Sequence, residues 1–128
     1  ALPLSAAAAV HAVEGDEALV RAMAAAARPI RTSLATETRD LFRQPLSARE
    51  LNRYEAVLFD PPRAGAAAQC DELAKSAVGR VVAISCNPAT FARDARALAA
   101  GGFHLRRILP VDQFLWSPHL ELAAEFTR

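Results

Sequence analysis

Short apolar runs alternate with helix-like segments along almost the whole chain. Strands are predicted at residues 10–13, 30–35, 56–59, 81–85, 103–109 and 120–126, and helices at 17–27, 66–77 and 88–100. Between residues 44 and 54 the sequence predicts a loop with one helical turn. Strands and helices that alternate in this way favour an α/β fold built on a largely parallel sheet. The last two strands have no helix between them and are expected to pair antiparallel.

A cysteine stands at the end of one of these apolar runs. Cys86 stands in Ser85-Cys86-Asn87-Pro88, which directly follows the run 80–84. Ligands of open α/β sheets bind at the carboxyl ends of the strands, so this thiol is placed for nucleophilic chemistry. The alternative is a cysteine that only packs, because free cysteines are among the most buried residues. The second cysteine, Cys70, lies in a predicted helix and is interpreted as structural.

Two carboxylates accompany this cysteine. Asp60 is the first polar residue after the run 56–59, and two prolines then make the chain leave the sheet stiffly, because proline fixes φ and lacks a backbone donor. Such a loop suits a carboxylate aimed at a planar ligand, although a simple Asp-Pro-Pro turn would have the same sequence. Glu121 lies in the apolar frame 120–124. It is either a solvent-facing strand residue or, if desolvated, a general base.

Three motifs occur in a fixed order. They are Asp60-Pro61-Pro62-Arg63-Ala64-Gly65, the stretch 85–94 that begins Ser85-Cys86-Asn87-Pro88, and the stretch from Asp112-Gln113-Phe114 to His119-Leu120-Glu121. In order and approximate spacing they resemble the RNA (uracil-5-)-methyltransferase family, which uses S-adenosylmethionine (SAM). The resemblance covers most of the chain. Leu115 and Ser117 depart from the Pro and Thr common in the family, which leaves the RNA target open.

The resemblance implies a Rossmann-like class I methyltransferase sheet and methylation at C5 of a uridine in tRNA or rRNA. Cys86 would add to C6 of the uracil, and Glu121 would accept the C5 proton. A covalent adduct of this kind splits one difficult step into two easier ones. Asp60 would line the pocket beside the nucleophile. Further substrate contacts are expected from Pro61, Arg63 and Asn87.

The same resemblance implies where SAM would bind. Glu14, which follows the run 10–13, would hold the ribose, as acidic residues at the end of a second strand do in nucleotide-binding sheets. Asp40 would contact the adenine edge, and Asp60 would also face the cofactor. Without the resemblance, Glu14 and Asp40 would be interpreted as solvated surface residues.

The Gly-rich loop of the family, between its first strand and first helix, is not found in this sequence. Residues 1–4 resemble the segment that follows that loop, so 1–128 is interpreted as a single partial catalytic domain without the first central strand. Such a buried strand contributes about 6–12 kcal/mol, comparable with the whole stability of a domain, about 5–15 kcal/mol. We expect either an upstream segment or a second copy of the chain to complete the sheet, or direct pairing of the second and fourth strands.

Composition narrows the class of protein to which this chain can belong. The chain has 128 residues, a net charge of +1 and 52% hydrophobic residues, as expected for one globular domain. No apolar stretch is long enough to span a membrane and no signal peptide is visible, so with two cysteines at no paired spacing we expect a cytoplasmic protein. No cysteine or histidine cluster suggests a metal site. The small charge does not predict a broad RNA-binding face.

Two other functions stay open. A SAM-dependent amino-methyltransferase would also place Asp-Pro-Pro at this strand end but would need no cysteine. A non-catalytic remnant that binds RNA or another partner is favoured by the absent Gly-rich loop and opposed by the presence of Cys86 and Glu121. Because the cofactor loop is absent, the chain alone is expected to be inactive.

Overall fold

The computed structural model describes residues 1–29, 33–112, 116 and 120–128. Two compact units are present, Ala1–Gln44 and Pro45–Arg128, and each is described by itself. The elements in chain order are α1 (Leu2–Ser5), β1 (Val10–Glu14), α2 (Glu17–Ala27), β2 (Leu34–Thr38), α3 (Ala48–Leu51), β3 (Ala56–Phe59), α4 (Ala67–Lys75), β4 (Arg80–Ser85), α5 (Pro88–Ala100), β5 (His104–Val111) and β6 (Glu121–Thr127).

The first unit contains a parallel pair of strands joined by a helix. β1 and β2 pair from Val10 opposite Leu34 to Glu14 opposite Thr38. A parallel pair needs a crossover connection, and α2 provides it. This helix begins where the sequence predicts, because the Asp16 carboxylate accepts from the backbone amides of its first turn, at 2.7 and 3.2 Å.

The second strand begins later than the sequence suggests. The sequence predicts it at 30–35, but β2 runs from Leu34 to Thr38, and residues 30–32 of the predicted strand lie outside the described residues. The observed strand is polar, with alternating Thr36 and Thr38 and a Glu between them. Because β-branched threonines favour strands without forming an apolar run, hydrophobic patterning alone missed them.

The second unit is a four-stranded mixed sheet in the order β3-β4-β6-β5. β3 and β4 are parallel and are joined through α4, whereas β6 is antiparallel to both β4 and β5. The predicted antiparallel pair at the end of the chain is therefore confirmed. α5 begins at Pro88, where the missing amide hydrogen costs nothing, and the Asn87 side chain caps it by accepting from Ala89 N at 3.0 Å.

One face of this sheet carries the core. Every second residue of β4 and β6 is buried, in agreement with the two-residue period of a strand. The Phe126 ring lies 6.2 Å from the ring of Phe91 on α5. Other fully buried side chains come from the helices and their connections, namely Leu51, Cys70, Leu73, Val78 and Leu98. On the opposite face, Val82 and Ile84 are only half-buried.

The described strands form two separate sheets, β1-β2 and β3-β4-β6-β5. The direct pairing of β1 with β3, which is the second with the fourth strand in the family order, is not among the pairings of the described residues. In this part of the chain β3 pairs with β4 alone, and its Leu58 is 49% exposed. Parallel strands are normally covered on both faces, so this exposure is unusual.

Replacing Leu98 by Ala should lower the free energy of unfolding of the second unit. Leu98 is 1% exposed, so the change removes buried methyl groups and leaves a cavity, with an expected cost of about 2–5 kcal/mol. Urea denaturation followed by circular dichroism would measure it. Leu105→Ala is the matched control, because Leu105 is 49% exposed and its loss should cost about 0.5 kcal/mol or less. Equal effects of the two changes would contradict the assignment of the core.

Candidate functional site

The predicted nucleophile and the predicted base lie at the same end of neighbouring strands. The last pair of the β4–β6 ladder joins Ser85 to Leu122. Cys86 directly follows the end of β4 and Glu121 is the first residue of β6, so both residues lie next to this last pair of the ladder. The register thus brings together two residues that are 35 positions apart in the sequence.

The two cysteines differ in accessibility. Cys86 is a half-buried free thiol at the strand end, whereas Cys70 is a free thiol buried inside the unit. Burial, reinforced by the negative charge of Asp94, raises the pKa of Cys70 to about 12. At neutral pH this thiol stays protonated and out of reach. Cys86 is therefore the cysteine placed for reaction.

The turn that carries Cys86 is closed by a serine that the sequence did not single out. Ser85 is 6% exposed, and its hydroxyl accepts from Asn87 N and donates to Asn87 O, both at 3.2 Å. Cys86 is the residue enclosed by this ring. Serine hydroxyls commonly bond to the backbone two residues later and so form a local turn. A serine at the end of a strand, just before Asn-Pro, is the signal that could have identified Ser85.

The Asp-Pro-Pro loop lies at the same edge of the sheet. Asp60 follows β3 directly and is exposed, and β3 runs parallel to β4, so Asp60 and Cys86 are both at carboxyl ends. Pro61 is half-buried and Arg63 is exposed. The loop ends in a tight turn in which Gly65 N donates to Pro62 O at 2.8 Å. The predicted pocket residues of this loop therefore lie at the edge where open α/β sheets generally bind their ligands.

The side chain of Asn87 makes two hydrogen bonds, one to the start of α5 and one to the loop after β3. Its amide oxygen caps α5, and its amide nitrogen donates to Arg63 O at 3.1 Å. Thr90 Oγ1 donates to the same carbonyl at 3.1 Å. These bonds join the loop after β3 to the turn after β4. The substrate contact expected of Asn87 stays a prediction beside this observed role.

The first unit holds the two residues expected to contact SAM. Glu14 ends β1, and its backbone carbonyl accepts from Arg39 N at 2.9 Å, so Glu14 and Asp40 lie at the same edge of the two-stranded sheet. One Glu14 oxygen accepts from Asp16 N at 3.0 Å, while the side chain is exposed. An exposed carboxylate at the end of a strand has the chemistry that ribose hydroxyls require.

Asp40 makes hydrogen bonds and an ion pair within its own turn. Its Oδ1 accepts from Phe42 N at 2.9 Å and from Arg43 N at 3.3 Å, and Arg43 Nε lies 3.5 Å from Oδ2. This geometry stabilises the turn that follows β2. The adenine contact expected of Asp40 stays a prediction, and the local hydrogen bonds alone account for an aspartate at this position.

The third motif is described only at its ends. Asp112 is exposed, and Leu120 and Glu121 are half-buried. Gln113, Phe114, Leu115, Ser117, Pro118 and His119 lie outside the described residues, and they include both departures from the family pattern. Across residues 1–29, 33–112, 116 and 120–128, no three His, Cys, Asp or Glu side chains are grouped to hold a metal ion. Nor does any helix in those ranges have the length and apolarity to cross a membrane.

A shallow depression lies at the opposite edge of the four-stranded sheet. It is lined by Glu55, Ala56, Gly79, Arg80, Thr127 and Arg128. The Arg128 guanidinium is engaged there, donating to the carbonyls of Leu73 and Ala74 at 2.9 and 3.0 Å. Because ligands of α/β sheets bind at the carboxyl ends of strands, and this depression is at the amino ends of β3 and β4, we assign it no function.

Comparison with known proteins identifies the family. The model of the tRNA (uracil-5-)-methyltransferase family matches residues 6–128. The chain belongs to this family. An uncharacterized RNA methyltransferase of Agrobacterium fabrum is 54% identical over 117 residues, which cover 90% of this chain and 28% of that protein. The 23S rRNA (uracil(1939)-C(5))-methyltransferase of Dichelobacter nodosus is 40% identical over 124 residues, 93% of this chain and 29% of that protein.

A solved structure has the same fold. The Pyrococcus abyssi tRNA (uracil-54, C5)-methyltransferase, in complex with S-adenosyl-L-homocysteine, superposes with a TM-score of 0.77 at 27% identity. The superposition covers 95% of this chain and 29% of that protein. The expected class I methyltransferase fold is therefore confirmed. The chain spans about three tenths of the length of the curated relatives it matches.

Only one of the two thiols should react in the folded chain. With a pKa of about 12, roughly one Cys70 thiol in 10⁴ is ionised at pH 8, and it is also buried. Ellman's reagent should titrate one thiol quickly and the second only in guanidinium. Peptide mass spectrometry after alkylation should locate the fast label on Cys86. In Cys86→Ala the fast phase should vanish, whereas in Cys70→Ala it should persist; the reverse pattern would contradict the structure.

Proposed function

We propose that this chain is the catalytic part of an enzyme that transfers a methyl group from SAM to C5 of a uridine in RNA. The observation that supports the proposal is the β4–β6 ladder, whose last pair, Ser85 opposite Leu122, is flanked by Cys86 and Glu121. Membership of the uracil-5 family and similarity to a 23S rRNA uracil methyltransferase support it.

Cys86 is proposed to open the reaction. C5 of uracil is a poor nucleophile, and attack by the Cys86 thiolate on C6 forms a sulfur–carbon bond while the electrons of the C5–C6 double bond move toward the C4 carbonyl. The resulting enolate makes C5 nucleophilic. Cysteine suits this step because a fraction of it is thiolate near neutral pH and it is intrinsically a strong nucleophile. SAM, when bound, supplies the methyl group.

Glu121 is proposed to complete the reaction by removing the C5 proton. After methylation C5 carries both the new methyl group and its original proton. The Glu121 carboxylate takes this proton, the electrons of the C–H bond restore the C5–C6 double bond, and the Cys86 thiolate leaves. C5 and C6 are bonded neighbours, so the two side chains must reach adjacent atoms of one ring. Cys86 and Glu121 flank the same terminal pair of the β4–β6 ladder, which supports this assignment of roles.

The remaining predicted residues are proposed to hold the ligands. Asp60 lines the pocket between nucleobase and cofactor, with Pro61 and the exposed Arg63 on the RNA side. Glu14 is proposed to hold the SAM ribose, and Asp40 to contact the adenine. The 15 Lys and Arg residues of the chain are nearly balanced by 14 Asp and Glu, for a net charge of +1, so the choice of uridine is assigned to surfaces of the full-length enzyme.

Covalent trapping on RNA would test the proposal. The protein would be the chain itself and a chimera in which it replaces the matching segment of the full-length Agrobacterium fabrum relative. With SAM and an RNA that contains 5-fluorouridine, the chimera should form an adduct that survives a denaturing gel. Release of the enzyme requires removal of a proton from C5, and a base cannot remove the fluorine that stands in its place. Cys86→Ala should abolish the adduct, and Cys70→Ala should retain it.

The outcomes separate the alternatives. No adduct from a folded chimera that binds SAM would contradict uracil-5 methylation. Continued methylation of RNA by Cys86→Ala would favour an amino-methyltransferase. A chimera that binds RNA but shows no heat with SAM in calorimetry would favour a non-catalytic role.

Glu121→Gln should separate the two halves of the reaction. Glutamine keeps the shape of the side chain but cannot accept the C5 proton, so the adduct with ordinary uridine RNA should accumulate after methyl transfer. Turnover should fall by about 10²–10⁴-fold. Denaturing gels with methyl-labelled SAM would show label on the protein–RNA species. Normal turnover by this variant would exclude Glu121 as the base.

A further inference from the structure

A buried carboxylate connects the two loops of the proposed site. Asp94 on α5 is 4% exposed, and its Oδ2 accepts from Ala66 N at 2.7 Å. Its Oδ1 accepts from the neighbouring Arg93 guanidinium, from Nε at 2.9 Å and from Nη2 at 2.7 Å. Arg93 Nη2 also donates to Ala64 O at 2.9 Å. The ion pair is thus hydrogen-bonded to the loop after β3 on both sides of Gly65.

Gly65 shows how closely the loop approaches this pair. Its φ is +77°, a conformation that favours glycine. A Cβ atom at this position would lie 2.5 Å from Arg93 Nη2 and 2.6 Å from Asp94 Oδ2. The backbone therefore lies directly on the charged groups, with no space for a side chain. Glycine is required here by contact as well as by conformation.

Side chains of α5 and its cap contact the loop along residues 63–66. Asn87 and Thr90 hold Arg63 O, while Arg93 and Asp94 hold the residues that follow. All four holding residues belong to the first two turns of α5 or to its cap. The β3–β4 pairing ends at Phe59 opposite Ala83, so strand pairing does not fix this loop. The start of α5 does so instead.

We infer that Asp94, together with Arg93, is a positioning residue that fixes the Asp60–Arg63 loop relative to Cys86. α5 begins two residues after Cys86, and its cap belongs to the same turn as the thiol. A clamp from this helix to the loop therefore sets the distance between nucleophile and pocket wall. Charge-assisted hydrogen bonds at a buried site make the clamp stiff. The inference rests on the proposed function of Cys86.

The test combines a catalytic readout with one that is independent of catalysis. In the chimera, the single-turnover rate of adduct formation at saturating 5-fluorouridine RNA and SAM should fall roughly tenfold or more in Asp94→Asn, because small displacements of reacting groups are costly. KM for RNA should change by no more than about twofold. Hydrogen exchange at the Ala66 amide should accelerate by roughly tenfold or more, because its charged acceptor is lost.

Matched variants separate positioning from general destabilisation. Gly65→Ala should slow adduct formation as Asp94→Asn does, and the double variant should be no slower than the worse single one, because both displace the same clamp. Gly102→Ala is the control, since Gly102 also has a positive φ, +89°, but a Cβ added there would meet no atom within 4 Å. Asp71→Asn controls for charge, as Asp71 is exposed on α4. Both controls should keep the normal rate.

Each outcome is decisive. A normal rate of adduct formation in folded Asp94→Asn, or equal slowing by Gly102→Ala, would overturn the inference. If Asp94→Asn does not fold, Arg93→Met decides, because methionine has no N–H donor for Asp94 or Ala64 O; a normal rate there would overturn the inference. If the parent chimera forms no adduct, the proposed function fails and the catalytic role of the clamp with it, even where Ala66 exchange depends on Asp94.

Discussion

The antiparallel pairing of β4 with β6 is the interaction on which the second unit depends. Its ladder runs from Arg80 opposite Thr127 to Ser85 opposite Leu122. The two-residue period then turns one face of both strands toward the helices and into the core. A slip of one residue would reverse those faces and move Glu121 away from Cys86. The core and the relative positions of Cys86 and Glu121 therefore depend on the same register.

Local signals made much of the fold predictable. The capped helices α2 and α5 begin and end where the sequence predicts, because Asp16, Asn87 and Pro88 mark their starts chemically. The apolar strands β3 and β4 were located to within one residue. The polar strand β2 was predicted at the wrong position, and the four-residue helix α1 was not predicted, since neither has a hydrophobic pattern of its own.

The sequence supplied the candidate residues of the site but not their connections. The motifs identified Cys86, Glu121 and Asp60 by resemblance, and strand ends placed two of them at one edge. The register that brings Cys86 and Glu121 to the same end of the β4–β6 ladder is a long-range property that no local pattern contains. The same is true of Asp94, whose partner Ala66 is 28 residues away, and of Ser85, whose hydroxyl acts through a backbone ring.

The edge strand β3 has a consequence for how this chain behaves in solution. Its four residues, Ala56–Phe59, carry no charge, proline or bulge, and among the described strands it is bonded only on its β4 side. Natural sheets usually protect such edges with charged or irregular residues, because an open row of amides and carbonyls recruits other strands. We therefore expect this chain, when it is handled by itself, to self-associate through added β-structure, to an extent that grows with protein concentration.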